Sequence, residues 1–159
     1  MRGYKKRINT IKAILAGSII SSAPNYNSID LEFSEINNCK KIIKNNRKFI
    51  LMVLHSTRAL DSSMNFFVNH HGVATFPPRG GRGRPRTARS LGQYIDALEL
   101  HTNSRLGKLT NVEATGFKSR IANVRNNYMH AAGTFPANAI EIYTLLSEME
   151  LLIVRMTNL

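Results

Sequence analysis

Acid is scarce in this chain of 159 residues: ten Asp and Glu face 22 Lys and Arg, and there is one cysteine, Cys39. A single thiol excludes an intramolecular disulfide and any zinc site built on several cysteines, which fits a reducing compartment and a buried structural thiol. No stretch approaches the roughly 20 apolar residues that a membrane span needs; the longest run is Phe49-Ile50-Leu51-Met52-Val53-Leu54. No internal repeat is visible. The excess of base, a formal net charge of +12, points to a polyanionic partner such as nucleic acid or an anionic membrane, and says nothing about fold. A 43% hydrophobic content is ample for one domain over residues 1–159.

The start of the chain, Met1-Arg2-Gly3-Tyr4-Lys5-Lys6-Arg7 followed by an apolar stretch to Ser21-Ser22-Ala23, imitates a secretory signal. Asn9 and Lys12 interrupt it, however, and Ile8, Ile11, Leu15 and Ile19 recur at helical spacing, so an amphipathic first helix in a cytoplasmic protein without a membrane partner is expected.

Apolar residues recur at threes and fours almost everywhere, which predicts an all-α fold. Asn27 or Ser28 suits the cap of a second helix with Asp30 and Glu32 near its start. The stripe Ile36, Cys39, Ile43, Asn46, Ile50, Val53, Thr57, Leu60, Met64, Phe67 keeps one phase, so one long helix or two collinear ones are expected, with Asn46 and Thr57 as weak points. Residues 74–90 hold too much Pro and Gly for a regular element and read as a flexible basic loop. Ser90 with Gln93 forms a capping-box pattern before Leu91, Ile95 and Leu98, and Thr110 with Glu113 another. The fourth helix carries Phe117, Ile121, Val124, Tyr128 and Ala131 and is expected to end at Gly133; Pro136 suits the first turn of the last, which buries Ile142, Leu145, Met149, Leu152 and Met156. Together these make a five-helix bundle.

With about 100° per residue and Val124 at zero, Asn126 falls near 200°, His130 near 240° and Gly133 near 180°, with Ser119 and Ala122 on the same outward side and Arg125 flanking it. A face of small residues around one His and one Asn suits close approach by a second helix. Ser119, Ala122, Asn126, Met129 and Gly133 are therefore the expected dimer contacts.

The run Arg125-Asn126-Asn127-Tyr128-Met129-His130 resembles the Arg-x(4–6)-His signature of HEPN domains, including the polar residue directly after the Arg. The resemblance extends to the place of the motif near the end of the penultimate helix and to the helical outline of nearly the whole chain. It implies a metal-independent endoribonuclease without cofactor, in which motifs from two subunits of a homodimer form one cleft and RNA is cut through its 2′-OH to leave a 2′,3′-cyclic phosphate. The chemistry is consistent: an imidazole with a pKa near ~6.5 can move protons at neutral pH. Arg125 can hold the scissile phosphate in its planar fork and Asn126 can orient phosphate or ring. Because the nucleophile is the 2′-OH, DNA should be inert as a substrate. Relatives of this kind serve as toxins or in antiviral defence, held in check by an inhibitory partner. A non-catalytic HEPN-like nucleotide-binding or adaptor module keeps the same fold.

His70-His71 might suggest a metal pair, but neighbours on a helix point about 100° apart and no Asp, Glu or Cys lies at ligand spacing, so a solvated helix end is expected and no metal site is assigned. His55 and His101 carry no signal. In the loop, Arg79, Arg82, Arg84, Arg86 and Arg89 sit among glycines and prolines, and Arg82-Gly83-Arg84-Pro85 resembles the core of an AT-hook, a minor-groove element. Three readings stand: a clamp on RNA phosphates, a DNA hook that would make the chain a DNA-binding accessory protein, and a solvated loop.

Overall fold

The computed structural model describes residues 2–130 and 133–159. It is an all-α bundle in which one apolar cluster runs from Tyr4 to Met156. Helix α1 (Arg2–Ala16) buries Tyr4, Ile8, Ile11 and Leu15, the four-three-four spacing of a single face, while Ile19 falls beyond the helix and is exposed. That face lies on the last helix, α7 (Ala139–Thr157), which buries all five residues expected of it. Tyr4 donates its hydroxyl hydrogen bond to the Ala139 carbonyl, and the Arg7 guanidinium reaches Glu150 and lies 4.7 Å from the centre of the Tyr143 ring.

The long second helix is in fact two. Helix α2 (Tyr26–Asn38) ends in a single 3-10 turn over Cys39–Lys41, and α3 (Asn45–His70) runs back along it. Glu32 of α2 bonds His55 Nδ1 at 2.6 Å and Arg58 at 3.1 Å. In a collinear rod, 23 residues would hold Glu32 and His55 about 35 Å apart. The stripe of threes and fours is compatible with either arrangement, because each helix keeps its own phase. Folding back covers the apolar face of α2 (Ile29, Phe33, Ile36) with that of α3, whereas a rod would leave both exposed. Ile43 sits at the reversal and is 95% exposed, and Phe49 rather than Ile50 enters the core. The buried Ser56, Thr57 and Ser63 of α3 satisfy their hydroxyls on Val53 and Ala59 carbonyls one turn back, so Thr57 does not break the helix. The cap of α2 is Asn25, ahead of the expected Asn27 or Ser28, and its side chain makes no capping bond.

Residues 74–90 contain a short antiparallel ladder, β1 (Thr75–Phe76) with β2 (Arg86–Thr87), where only irregular loop was expected. Phe76 and Ala88 are buried beneath it, and the hairpin turns through Gly80 and Gly81 at φ of 82° and 70°, values that favour glycine. Helix α4 (Leu91–Leu100) follows; Ser90 precedes it without a side-chain cap, and Gln93 Oε1 accepts the N–H of Arg89 at 2.8 Å rather than that of Ser90, so the expected capping box is not formed.

Helix α5 (Asn111–Phe117) opens on a complete capping box between Thr110 and Glu113. It passes into a π-helical stretch, Lys118–Asn123, and then into α6 (Val124–His130). Ala131, expected in the core stripe, lies outside the described residues. Gly133 follows at φ 80°, and Asn138, not Pro136, starts α7, accepting the Ile140 and Glu141 N–H groups. Among the described residues no helix is long and apolar enough to cross a membrane.

Glu113 links the cap to α7 through Arg155 Nε at 2.8 Å, and that bond, with the Thr110 cap behind it, holds the carboxyl down at about 2. Thr110→Ala should lower stability by about 1 kcal/mol, a fall of roughly 2–4 °C in melting temperature. A carboxyl depressed on folding stabilises above its unfolded pKa and loses that contribution as pH falls. The melting difference between wild type and Glu113→Gln should therefore be full near pH 6 and shrink steadily from about pH 4.5 towards 2; a difference independent of pH would sever the cap from the ion pair.

Candidate active site

The site is built on a helix whose middle is clamped. Lys118 reaches Asp96 of α4 at 2.8 Å, Arg120 reaches Glu148 of α7 at 2.7 Å, and Ile121 and Ala122 are buried between these anchors. The π-helical turn closes its bonds one residue later than an α-turn, so the residues that follow are rotated relative to a continuous α-helix. That is why the even 100° count fails here. Ala122, expected to point outward, is 5% exposed and faces Gly92 of α4, where a Cβ would come within 3.9 Å of it. Val124 and Tyr128, expected in the core, are half-buried and pack against it. Of the expected dimer contacts, Ser119, Asn126 and Gly133 are exposed, whereas Met129 packs against the core and Gly133 stands beyond the last residue of α6.

Past the clamp, α6 is short and held from both sides. Tyr128 donates to Glu141 of α7 at 2.5 Å, and this acceptor together with burial pushes the phenol up to about 12. The Thr134 hydroxyl donates to the Asn127 carbonyl at 2.8 Å. On the outer face the three motif residues meet. Arg125 Nη1 donates to Asn126 Oδ1 at 2.9 Å and lies 3.4 Å from His130 Nε2, at the outer limit of a hydrogen bond. A guanidinium has no lone pair to offer, so this approach suits a neutral ring that presents Nε2 as acceptor. His130 is exposed, and Asn126 with it.

Arg125 and Asn126 also line a cavity of about 440 Å³ between α3, the start of α4 and the π-helical turn. Arg58, Arg89 and Lys118 share it, with Asp61 the lone carboxylate. Glu32 neutralises Arg58 and Asp96 neutralises Lys118, but among the described residues neither Arg89 nor Arg125 comes within ion-pair distance of an acid. Burial pushes the Asp61 carboxyl up, partly offset by the Arg125 charge and the Leu91 N–H. A concave site with two unneutralised guanidinium groups and the N-terminal end of α4 suits a phosphate. Arg58, Asp61 and Lys118 were not legible as site residues: they come from two elements that only the packing of α6 on α3 brings together.

The loop arginines separate into three settings. Arg79 is held by Glu99 through bonds of 2.8 and 2.5 Å and thus anchors the hairpin, while Arg89 lines the cavity. Arg82, Arg84 and Arg86 are exposed. His70 and His71 end α3 with their rings 5.0 Å apart edge to face, and among the described residues no group of three His, Cys, Asp or Glu could hold a metal ion. His101 is buried, its Nε2 3.1 Å from the Gly107 carbonyl.

Since Ala122 is packed against α4, Ala122→Glu should bury an unpaired carboxylate and overfill the space there, destabilising the fold by about 2 kcal/mol or more. Thermal melting checks this, and an unshifted melt would place Ala122 on the surface after all. Comparison with known proteins adds no family: no protein-family model, no curated protein and no solved structure matches the chain.

Proposed function

We propose that the chain is a HEPN-type endoribonuclease that cuts RNA without a metal or cofactor and works as a homodimer. The observation that carries this reading is the meeting of Arg125, Asn126 and His130 on one exposed face, beside a cavity with two unneutralised arginines. His130 Nε2 takes the proton of a ribose 2′-OH as its oxygen attacks phosphorus. Arg125 holds the phosphate and stabilises the charge that gathers on its oxygens, and Asn126 orients the guanidinium. The bond to the 5′-oxygen breaks, that oxygen is protonated, and the products are a 2′,3′-cyclic phosphate and a 5′-hydroxyl. One imidazole would have to act as both base and acid, whereas a two-fold axis near α6 brings a second His130 to the leaving oxygen. The exposed Ser119 and Asn126 support such an axis. By its resemblance the protein belongs to toxin or antiviral-defence systems, with an inhibitory partner.

Arg82, Arg84 and Arg86, exposed on a hairpin whose base is fixed, supply phosphate contacts that extend the RNA path beyond the cavity. The same exposure also serves the DNA-hook reading, which predicts preference for A·T-rich duplex over single-stranded RNA.

His130→Ala and Arg125→Ala should each lower cleavage of a generic RNA by a factor of at least ~10², with helicity and melting temperature nearly unchanged because both side chains lie outside the core. EDTA should leave the wild-type rate unaltered, an all-deoxy substrate should survive, and light scattering should give a dimer at assay concentrations. Full activity in either variant, or activity that returns only with added divalent metal, overturns the reading. Replacing Arg82, Arg84 and Arg86 together with Ala should reduce the salt slope of RNA binding by about 0.7 for each phosphate that the arginines neutralise. An unchanged slope would take the hairpin off the RNA path, and weakening confined to A·T-rich duplex would favour the hook.

A further inference from the structure

A second surface, sharing no residue with the basic cavity, lies at the start of α3. Lys44, Asn45, Asn46, Arg47 and Ile50 of the first turns of α3 and its approach, with Phe135, line an open hollow of about 600 Å³. Phe135 is 43% exposed, and among the described residues its ring makes no aromatic or cation–π contact. Phe135 is one of several exposed large apolar side chains, and what sets it apart is that it lines one hollow together with the cations Lys44 and Arg47. The electrostatic setting names the partner's charge. Between Ile36 and Leu60 there is no Asp or Glu, while residues 40–48 carry five cations, Lys40, Lys41, Lys44, Arg47 and Lys48.

The place in the chain is equally specific. Phe135 is five positions after His130, so their Cα atoms lie within about 18 Å of each other. A strand whose scissile phosphate sits at Arg125 and His130 therefore reaches Phe135 within a few nucleotides. A membrane partner would find Phe135 and Ile50, with Ile43 one residue before Lys44, where it needs a broad apolar face, and an apolar protein partner gains nothing from a rim of unneutralised cations. Single-stranded nucleic acid needs both parts, an exposed ring for its bases and cations for its backbone.

We propose that Phe135, flanked by Lys44 and Arg47, is a base-stacking platform for single-stranded RNA next to the cleavage site. The proposal rests on the reading that RNA is the ligand, but not on the cleavage chemistry. Stacking on an aromatic ring is tolerant of sequence, because every base offers a π-face. The platform therefore sets how firmly a strand is held, leaving to other contacts which bond is cut.

The chain contains no tryptophan, so Phe135→Trp places a sole indole in the hollow. Its fluorescence should be quenched saturably by a fully 2′-O-methylated RNA decamer, which cannot be cut through the 2′-OH. Phe135→Ala and Phe135→Leu should weaken binding of the same decamer by roughly 5- to 100-fold, Phe135→Trp should retain it, and Lys44→Ala with Arg47→Ala should flatten its salt dependence. An unquenched indole at saturating decamer, or unchanged affinity in Phe135→Ala, overturns the platform. So does conversion of Phe135→Ala from dimer to monomer, which would assign the ring to a subunit interface. Quenching together with intact RNA in the wild-type assay would leave the platform standing and remove the ribonuclease; cleavage with an unquenched indole would do the reverse.

Discussion

The face that carries Arg125 and His130 depends on the clamp at Lys118 and Arg120. Each ion pair, at 2.8 and 2.7 Å, is partly exposed and by itself would contribute little, about 1 kcal/mol or less. Their importance is geometric. One ties the helix to α4 and the other to α7, on either side of Ile121 and Ala122, which are buried. With the helix fixed on both flanks, the widened turn between them sets the rotation of everything downstream. The capping box at Thr110 and the Glu113–Arg155 bond fix the upstream end, so the phase of α6 is determined before any contact of its own. Short as it is, α6 is further held by its packing on α3 and the core, by the Tyr128–Glu141 bond and by the Thr134–Asn127 bond.

The distribution of acid explains why so much positive charge remains unanswered. Asp30, Glu32, Asp96, Glu99, Glu113, Glu148 and Glu150 all stand in ion pairs within the bundle. Several of these join elements far apart in sequence, as Arg7 does with Glu150. Acid is thus committed to holding helices together, and cations without an ion pair among the described residues are found on the exposed part of the hairpin, at the cavity, where Arg89 and Arg125 share the lining with the single carboxylate Asp61, and in the segment from Lys40 to Lys48.

What could be read in the sequence was whatever depends on neighbours within a turn or two. The faces of α4 and α7 and the Thr110–Glu113 box are of that kind and have the placement their spacing implies; the face of α1 follows its spacing as far as Leu15, with Ile19 beyond the helix, and Arg125 and His130 approach to 3.4 Å as residues about one turn apart. The reversal at Cys39–Lys41 was not legible, because a helical stripe repeats identically whether the next helix continues or turns back. Nor was the π-helical turn: Lys118, Ser119 and Arg120 carry no proline or glycine, and their partners Asp96 and Glu148 lie more than 20 residues away. Ala122 lies within that turn and is buried against Gly92 of α4, a tertiary contact that the even count could not register. Asp61 and Arg58 entered the site through tertiary packing, which no local period records.

The same logic gives the hairpin its role. A run of arginines among glycines would by itself be a tether of unspecified reach, and the two-residue ladder adds little stability. Yet three features fix its base: Phe76 and Ala88 are buried, the Ala88 N–H bonds the Ala74 carbonyl at 2.8 Å, and Arg79 is held by Glu99. Arg89, two residues past β2, lines the same cavity as Arg125. The loop is therefore joined to the site through its own final arginine, and Arg82, Arg84 and Arg86 are carried at a bounded distance from it. On the proposed reading, a strand held at the cavity would raise the effective concentration of its next phosphates at those three side chains, so that contacts too weak to bind alone would add to affinity once the first is made.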